Sequence, residues 1–149
     1  MSEIKKVLFI CTGNSARSQM AEGLLNTLGS GRWRAQSGGL FPSYVHPLAI
    51  RAMAEIGIDI SQQTSKSMDS FLEDDFDYIV TLCDHAAKAC PVFPGQAKRL
   101  HWSLEDPAIA VGTIDERLMV FRKVRDEIKK RIEGLIESES PLTSTIKNP

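Results

Sequence analysis

Short apolar runs and amphipathic stretches alternate along this chain. The runs at 7–10 and 78–82 are almost uninterrupted, which is typical of strands buried on both faces of a parallel sheet. The segments 33–37 and 97–102 predict two further strands, and Lys98-Arg99 in the second of them indicates a sheet edge. Four strands are therefore expected, two of them fully buried.

Apolar residues at helical spacing predict helices at 16–28, 47–56 and 115–136. Shorter helices are expected at 68–72 and 84–89. The segment 58–67, which precedes the first of them, is polar and irregular. The longest helix carries an apolar stripe made of Leu118, Phe121, Val124, Ile128, Ile132 and Leu135. Because strands that alternate with helices form right-handed βαβ units, the expected fold class is α/β: a single domain with a four-stranded parallel sheet flanked by helices on both faces.

The chain has room for one such domain, since 149 residues can bury a single sizeable core. We expect the domain to span 1–137 and residues 138–149 to form a flexible C-terminal tail. The formal net charge of −1 argues against a nucleic-acid partner. No apolar run has membrane-spanning length and no signal peptide is recognisable, so we expect a cytoplasmic protein with no membrane partner. Nothing in the apolar pattern demands an oligomer, and a monomer is expected.

The turn after the first strand carries the most distinctive chemistry. Cys11 ends the strand, Arg17 opens the next helix, and Gly13-Asn14 between them are residue types that tolerate the positive φ of a tight loop. Successive N–H groups of such a loop converge on one point, and the helix adds the positive end of its dipole. A guanidinium can then hold a tetrahedral oxyanion through two oxygens, and a thiol in this field readily gives up its proton.

This segment therefore predicts a nucleophile, Cys11, in an oxyanion-binding loop. The expected binding residues are Thr12, Gly13, Asn14, Ser15, Ala16, Arg17 and Ser18. The Ser18 hydroxyl is also a candidate hydrogen-bond donor to the Cys11 thiolate. The alternative is structural: a buried cysteine at a strand end, beside an arginine on a solvated helix.

Cys83 and Cys90 flank the short helix predicted at 84–89. Across an intact helix the two residues stand about 10 Å apart, whereas a disulfide needs Cα atoms within about 7 Å. The pair can join only if the segment unwinds, and its short length and Pro91 make unwinding easy. We therefore hypothesise a redox pair coupled to a local loss of helix.

Two other interpretations of these cysteines stay open. A zinc site of Cys83, His85, Cys90 and His101 lacks the close Cys-x-x-Cys pair usual in structural zinc sites, so no metal is expected. The cysteines could instead be buried structural thiols, which is a common fate of cysteine.

A candidate acid follows the fourth predicted strand, in Glu105-Asp106-Pro107. Pro107 pushes Asp106 toward an extended backbone, which can hold a carboxyl group over a pocket. A nucleophile that displaces oxygen from an oxyanion needs a general acid, and Asp106 is the candidate for this role. Without Cys11 and Arg17 in the same chain, a turn-forming Asp-Pro would be the better interpretation.

These motifs together carry a family resemblance. The run Cys11-Thr12-Gly13-Asn14-Ser15-Ala16-Arg17-Ser18, with Ala21-Glu22-Gly23 and Asp106-Pro107, resembles the low-molecular-weight protein tyrosine phosphatase superfamily. The pieces Thr81-Leu82-Cys83, Cys90-Pro91, His101-Trp102 and 121–128 resemble its arsenate reductase branch. Phosphatases of the superfamily lack the two further cysteines and usually have an aromatic residue after the Asp-Pro, where this chain has Ala108.

The resemblance implies a low-molecular-weight phosphatase-like fold and the reduction of arsenate to arsenite for arsenic detoxification. Cys11 would attack arsenate held by Arg17 and the loop amides, while Asp106 protonates the departing oxygen. Cys83 would expel arsenite and form a Cys11–Cys83 disulfide, which Cys90 converts to a Cys83–Cys90 disulfide. The resemblance further implies thioredoxin as reductant, phosphate or sulfate as substrate mimics, and no tightly bound cofactor.

One position departs from part of the family. Some relatives bind potassium beside the loop through residues that match Asn14, Glu22, Ser37 and an aspartate, and this chain has Lys66 at the place of the aspartate. We expect the Lys66 ammonium group to replace the cation.

Two other functions fit part of the pattern. A phosphatase that hydrolyses phosphate esters would use Cys11, Arg17 and Asp106 and ignore Cys83 and Cys90. A weak phosphatase activity is expected in either enzyme, because phosphate and arsenate are alike in shape and charge. A non-catalytic oxyanion sensor would need the loop alone.

Overall fold

Four parallel strands form the centre of the molecule. The computed structural model describes residues 4–90 and 93–139. The strands are β1 (Lys5–Cys11), β2 (Trp33–Gly39), β3 (Tyr78–Thr81) and β4 (Lys98–His101), in the order β2-β1-β3-β4. In β1 the side chains of Val7, Leu8, Phe9 and Ile10 are fully buried. The predicted four-stranded parallel sheet of an α/β domain is confirmed, and β4 lies at an edge as expected.

The helices are α1 (Arg17–Leu28), α2 (Pro47–Ala54), α3 (Asp84–Ala89) and α4 (Ile114–Ser138), with 3₁₀ turns at Met68–Phe71 and Pro107–Ile109. Each predicted helix is present, with ends that differ by two residues or fewer. The turn at Pro107–Ile109 agrees with the turn-forming Asp-Pro that the sequence offered as an alternative for Asp106, although its three residues are too few to predict a helical turn. Ser138, which we expected in the tail, is the last residue of α4, and residues 140–149 of the expected tail lie outside the described residues.

The long helix α4 organises the packing of the other helices. All six residues of its predicted apolar stripe are buried. The helix begins with a capping box, in which Thr113 and Glu116 satisfy each other's backbone N–H groups. It packs against α1 and α2, and Arg122 forms two hydrogen bonds to the Glu55 carboxylate at the end of α2.

The sheet order creates a crevice at the carboxyl ends of β1 and β3. The chain leaves β1 toward β2 on one side, while β3 pairs with β1 on the other side, and ligands of open α/β sheets bind where the order reverses in this way. Ile10 is in register with Thr81, so Cys11, the last residue of β1, and Cys83, two residues after β3, both lie at this point. The topology therefore places the first two cysteines at one site.

His46 caps the start of α2 and is buried, at 9% exposure. Its Nδ1 accepts a hydrogen bond of 3.0 Å from the Leu48 N–H, and its ring packs on Phe121 with centroids 4.7 Å apart. Burial lowers the pKa of His46, and the charge of Arg117 lowers it further, while Asp106 acts in the opposite direction. Only the neutral ring can accept at Nδ1, so protonation would remove the cap.

We predict that His46 makes the fold sensitive to mild acid. Since its pKa is lower in the folded chain, the unfolded chain binds more protons, and stability is lost as the pH falls below about 6.5. His46→Asn keeps a capping oxygen but removes the titration. Urea unfolding should therefore show a smaller loss of unfolding free energy between neutral and mildly acidic pH in this variant than in the natural chain.

The matched control is His85→Asn, because His85 is exposed and caps no helix. That variant is expected to keep the pH dependence of the natural chain. An unchanged pH dependence in His46→Asn would contradict the assignment.

Candidate active site

In the loop between β1 and α1, carbonyl groups accept hydrogen bonds from a neighbouring segment, while the N–H groups donate no described hydrogen bond. The carbonyl oxygens of Thr12, Gly13 and Ser15 accept hydrogen bonds of 2.8 to 3.2 Å from backbone N–H groups of the segment after β2. These donors are Phe41, Ser43 and His46. Among the hydrogen bonds of the described residues, none is donated by the N–H groups of residues 13–17. Five consecutive amides at a helix start are thus available to an anion, and binding of an oxyanion by this loop stays a prediction.

Asn14 and Gly39 fix the shape of the loop. Asn14 has φ of 47°, in the left-handed region that asparagine tolerates, whereas the neighbouring Gly13, expected to share this role, does not have a positive φ. A Cβ atom at Gly39 would lie only 2.7 Å from the Asn14 nitrogen and 2.9 Å from the Thr12 oxygen. The sequence alone does not reveal Gly39, because the contact joins the end of β2 to a loop that precedes it by two dozen residues.

A hydrogen-bond chain ends at the Cys11 sulfur, which is 2% exposed. Cys11 Sγ lies 2.9 Å from Ser18 Oγ, and the same oxygen accepts a 2.7 Å hydrogen bond from Asn14 Nδ2. Because the Asn14 amide donates to Ser18, the hydroxyl proton of Ser18 is left for the sulfur. This is the Ser18 contact that the sequence suggested, with Asn14 as an additional partner.

Two glutamines that the sequence analysis missed orient the Asn14 amide. Gln19, fully buried, donates from Nε2 to Asn14 Oδ1 at 2.9 Å, and the Lys66 N–H donates to the same oxygen at 2.7 Å. Gln63 Nε2 in turn donates to Gln19 Oε1 at 2.7 Å. A polar residue beside Met20 on the buried side of a helix is a weak signal, and nothing local marks Gln63, which lies 44 positions away.

Arg17 and Asp106 meet across the mouth of the loop. Arg17 is 7% exposed, and its Nη1 donates to the Leu104 carbonyl at 3.2 Å. Its Nη2 lies 3.7 Å from Asp106 Oδ2. The other oxygen of Asp106 accepts from the Ala108 N–H at 3.0 Å, which starts the 3₁₀ turn and fixes the carboxyl group. The guanidinium and the predicted acid are thus held side by side.

Cys83 lies against the same loop, at the start of α3. Its Sγ is 3.2 Å from Thr12 Oγ1 and accepts a hydrogen bond of 3.3 Å from the Ala86 N–H, so the sulfur caps the helix. Cys83 is 8% exposed, whereas Cys90, at the other end of the intact helix, is partly exposed. None of the three cysteines is joined in a disulfide. The helix predicted between Cys83 and Cys90 is present, with the bounds expected.

Lys66 lies beside Glu22, the acid that the sequence analysis matched to a potassium site. Its Nζ lies 3.9 Å from Glu22 Oε1 and donates to the Thr64 carbonyl at 2.8 Å. Burial raises the pKa of Glu22, while a hydrogen bond from Ser37 and the charge of Lys66 act in the opposite direction. This contact is consistent with the expectation that the Lys66 ammonium group takes the place of a cation, which stays a prediction.

The described residues offer no other metal centre. Across 4–90 and 93–139, no three side chains among His, Cys, Asp and Glu are placed to share an ion. His101, one member of the alternative zinc set, instead lies 2.9 Å from Asp84 Oδ1 through Nε2. Over the same ranges, no helix has the length and apolar character needed to cross a membrane.

Comparison with known proteins places this geometry in a family. Residues 6–142 match the model of the low molecular weight phosphotyrosine protein phosphatase family. An arsenate reductase of Halalkalibacterium halodurans is 50% identical over 134 residues, which cover 90% of this chain and 96% of that protein.

Solved structures agree with this assignment. An arsenate reductase in its phosphate-binding state is 44% identical, with a TM-score of 0.76, over 92% of this chain and 100% of that one. The thioredoxin-dependent arsenate reductase of Corynebacterium glutamicum is 31% identical, with a TM-score of 0.70, over 92% of this chain and 62% of that one. With the anion loop, Arg17 and the two further cysteines in place, the chain belongs to the low molecular weight phosphotyrosine protein phosphatase family, and within it to the arsenate reductases.

Proposed function

We propose that this chain reduces arsenate to arsenite, with Cys11 as nucleophile and Cys83 and Cys90 as a disulfide relay. The observation that carries the proposal is the position of Cys83, whose sulfur touches Thr12 of the loop that follows Cys11. A phosphate-ester hydrolase has no use for a second thiol at this point. The 50% identity to an arsenate reductase supports the same choice.

In the first step, arsenate binds to the free amides of residues 13–17 and to the guanidinium of Arg17. The proposed binding set is Thr12, Gly13, Asn14, Ser15, Ala16, Arg17 and Ser18. The Cys11 thiolate, supported by the Ser18 hydroxyl, attacks the arsenic atom. Asp106 donates a proton to the departing oxygen, which leaves as water, and a Cys11–arsenic bond remains.

In the second step, the Cys83 thiolate attacks the Cys11 sulfur. A Cys11–Cys83 disulfide forms, the sulfur–arsenic bond breaks, and its electron pair stays on arsenic, which is released as arsenite. Arsenic gains two electrons and the two thiols lose them, so the step balances without another reagent. The contact with Thr12 keeps the Cys83 sulfur close to the loop for this attack.

In the third step, Cys90 attacks Cys83 and frees Cys11 for another cycle. The intact helix α3 separates the two residues, so Asp84–Ala89 must unwind before they can join. A six-residue helix has little stability of its own, which makes this change inexpensive.

Thioredoxin is the proposed reductant of the Cys83–Cys90 disulfide. The Corynebacterium glutamicum relative is thioredoxin-dependent, and Cys90 is the cysteine that solvent reaches here. Each cycle has to return Cys11, Cys83 and Cys90 to thiols, which requires a reducing compartment, so we place the protein in the cytoplasm. One chain contains every group in the cycle, which makes a monomer sufficient, and no step calls for a tightly bound cofactor.

We predict that Cys90→Ser reduces arsenate once and then stops. Without Cys90 the Cys11–Cys83 disulfide remains buried in the site, and a protein reductant cannot reach it. Arsenite release should equal the amount of enzyme in a burst, with repeated turnover by thioredoxin lost, and mass spectrometry should find Cys11 joined to Cys83.

The matched control is Cys83→Ser, which keeps a capping oxygen for α3 but should abolish arsenite release in the first turnover as well. Full turnover by Cys90→Ser with thioredoxin would contradict the relay. It would favour a phosphatase or a different thiol donor.

We predict that Asp106→Asn lowers the rate of arsenate reduction by about a hundredfold or more, because a general acid is lost. Asparagine retains an oxygen that can accept from the Ala108 N–H, so the turn should persist and phosphate should still bind as a competitive inhibitor. The control is Glu105→Gln, since the exposed Glu105 carboxylate pairs with Lys123 and not with Arg17. Equal rates in the two variants would exclude Asp106 as the acid.

A further inference from the structure

One face of β4 and of the chain that follows it holds both ends of α3. Arg99 and His101 stand two residues apart on the strand, so they project from the same face. His101 Nε2 lies 2.9 Å from Asp84 Oδ1, and Ser103 Oγ donates to the same oxygen at 3.3 Å. At the other end, Arg99 Nη1 donates to Cys90 Sγ at 3.1 Å.

The two attachments differ in kind. At the Cys83 end, hydrogen bonds from His101 and Ser103 lower the pKa of Asp84, so the first residue of α3 is held as a carboxylate. His101 is itself fixed through Nδ1, 2.8 Å from Thr81 Oγ1. At the Cys90 end, the contact is made by a long, exposed side chain that can move with the sulfur. Unwinding of α3 should therefore displace Cys90 rather than Cys83.

We infer that Arg99 is a positioning residue for Cys90: its guanidinium stabilises the sulfur as a thiolate and accompanies it as α3 unwinds. A charged donor at hydrogen-bond distance favours the ionised form of an acceptor. The inference rests on the proposed function, because it assigns Arg99 to the third step of the relay.

The step that Arg99 assists balances within the chain. The Cys90 thiolate attacks the Cys83 sulfur of the Cys11–Cys83 disulfide, and the Cys83–Cys90 bond forms. The Cys11–Cys83 bond breaks, and Cys11 departs as a thiolate with the electron pair. One disulfide replaces another, so no oxidant is consumed, and the rate depends on how much of Cys90 is thiolate.

The other charges near α3 act elsewhere. Lys88, on the same helix, contributes to the low pKa of Asp84. Lys98 projects to the opposite side of β4 and lies over the Tyr78 ring, 5.8 Å from its centroid. Arg99, by contrast, donates a hydrogen bond to the Cys90 sulfur.

The test is the alkylation rate of Cys90 by iodoacetamide in the reduced full-length chain, followed by mass spectrometry of the Cys90 peptide across a range of pH. Arg99→Ala should slow alkylation at neutral pH by about two- to fivefold, the effect expected of an exposed charge pair. At strongly alkaline pH, where both proteins carry a thiolate, the rates should agree within about a factor of two. Arg99→Lys should restore part of the neutral-pH rate.

The matched control is Lys98→Ala. It removes the same charge from the preceding residue of β4 and should leave the alkylation rate of Cys90 unchanged. Equal rates for Arg99→Ala and the natural chain at neutral pH would overturn the inference. So would a deficit that persists unchanged into alkaline pH, because that result indicates altered access to the sulfur.

Failure of the proposed function gives a different result. The alkylation experiment is carried out without arsenate. Its result therefore tests the contact between Arg99 and Cys90 and does not depend on arsenate reduction. With arsenate and no reductant, Arg99→Ala should accumulate the Cys11–Cys83 disulfide while the natural chain proceeds to Cys83–Cys90. A natural chain that forms neither disulfide would remove the relay itself, whatever the alkylation rates.

Discussion

The direction of one side-chain amide determines what the loop can do. Asn14 turns its oxygen toward Gln19 and the Lys66 N–H and its nitrogen toward Ser18. If the amide were reversed, its NH₂ group would face two other donors, the Gln19 amide and the Lys66 N–H. The Ser18 hydroxyl would then donate its proton to the Asn14 oxygen and not to the sulfur. Since an unpaired buried donor costs on the order of 1–3 kcal/mol, the reversed state is strongly disfavoured. The Ser18 proton is therefore directed to the Cys11 sulfur by residues that never touch that sulfur.

The loop combines this rigid support with amides that have no hydrogen-bond partner among the described residues. Its carbonyl oxygens are held by the segment after β2, and the absence of a side chain at Gly39 lets the end of β2 pack directly against the loop backbone. Unpartnered N–H groups are costly where water is excluded, and a bound anion would offset that cost. The fully buried residues 7–10 of β1 and the apolar stripe of α4 stabilise the rest of the domain.

Local patterns were sufficient to predict the strands, the helices and most of the candidate site. Cys11 and Arg17 lie at the two ends of one short loop. The helix between Cys83 and Cys90 follows from their spacing and from Pro91. Gln63, Gly39 and Arg99 were missed for a common reason. Each contacts a residue that is distant in sequence and becomes its neighbour only in the folded chain. No local sequence pattern marks any of the three. The helical form of the turn after Asp106 could not be predicted, because three residues are too few to show a period.

The three sulfurs differ in depth in the order in which they would react. Cys11 is 2% exposed, Cys83 is 8% exposed, and Cys90 is partly open to solvent. A macromolecular reductant with the proposed role would therefore meet Cys90 first and would not have to reach Cys11. The burial of Cys11 shields it from direct exchange with large thiol proteins.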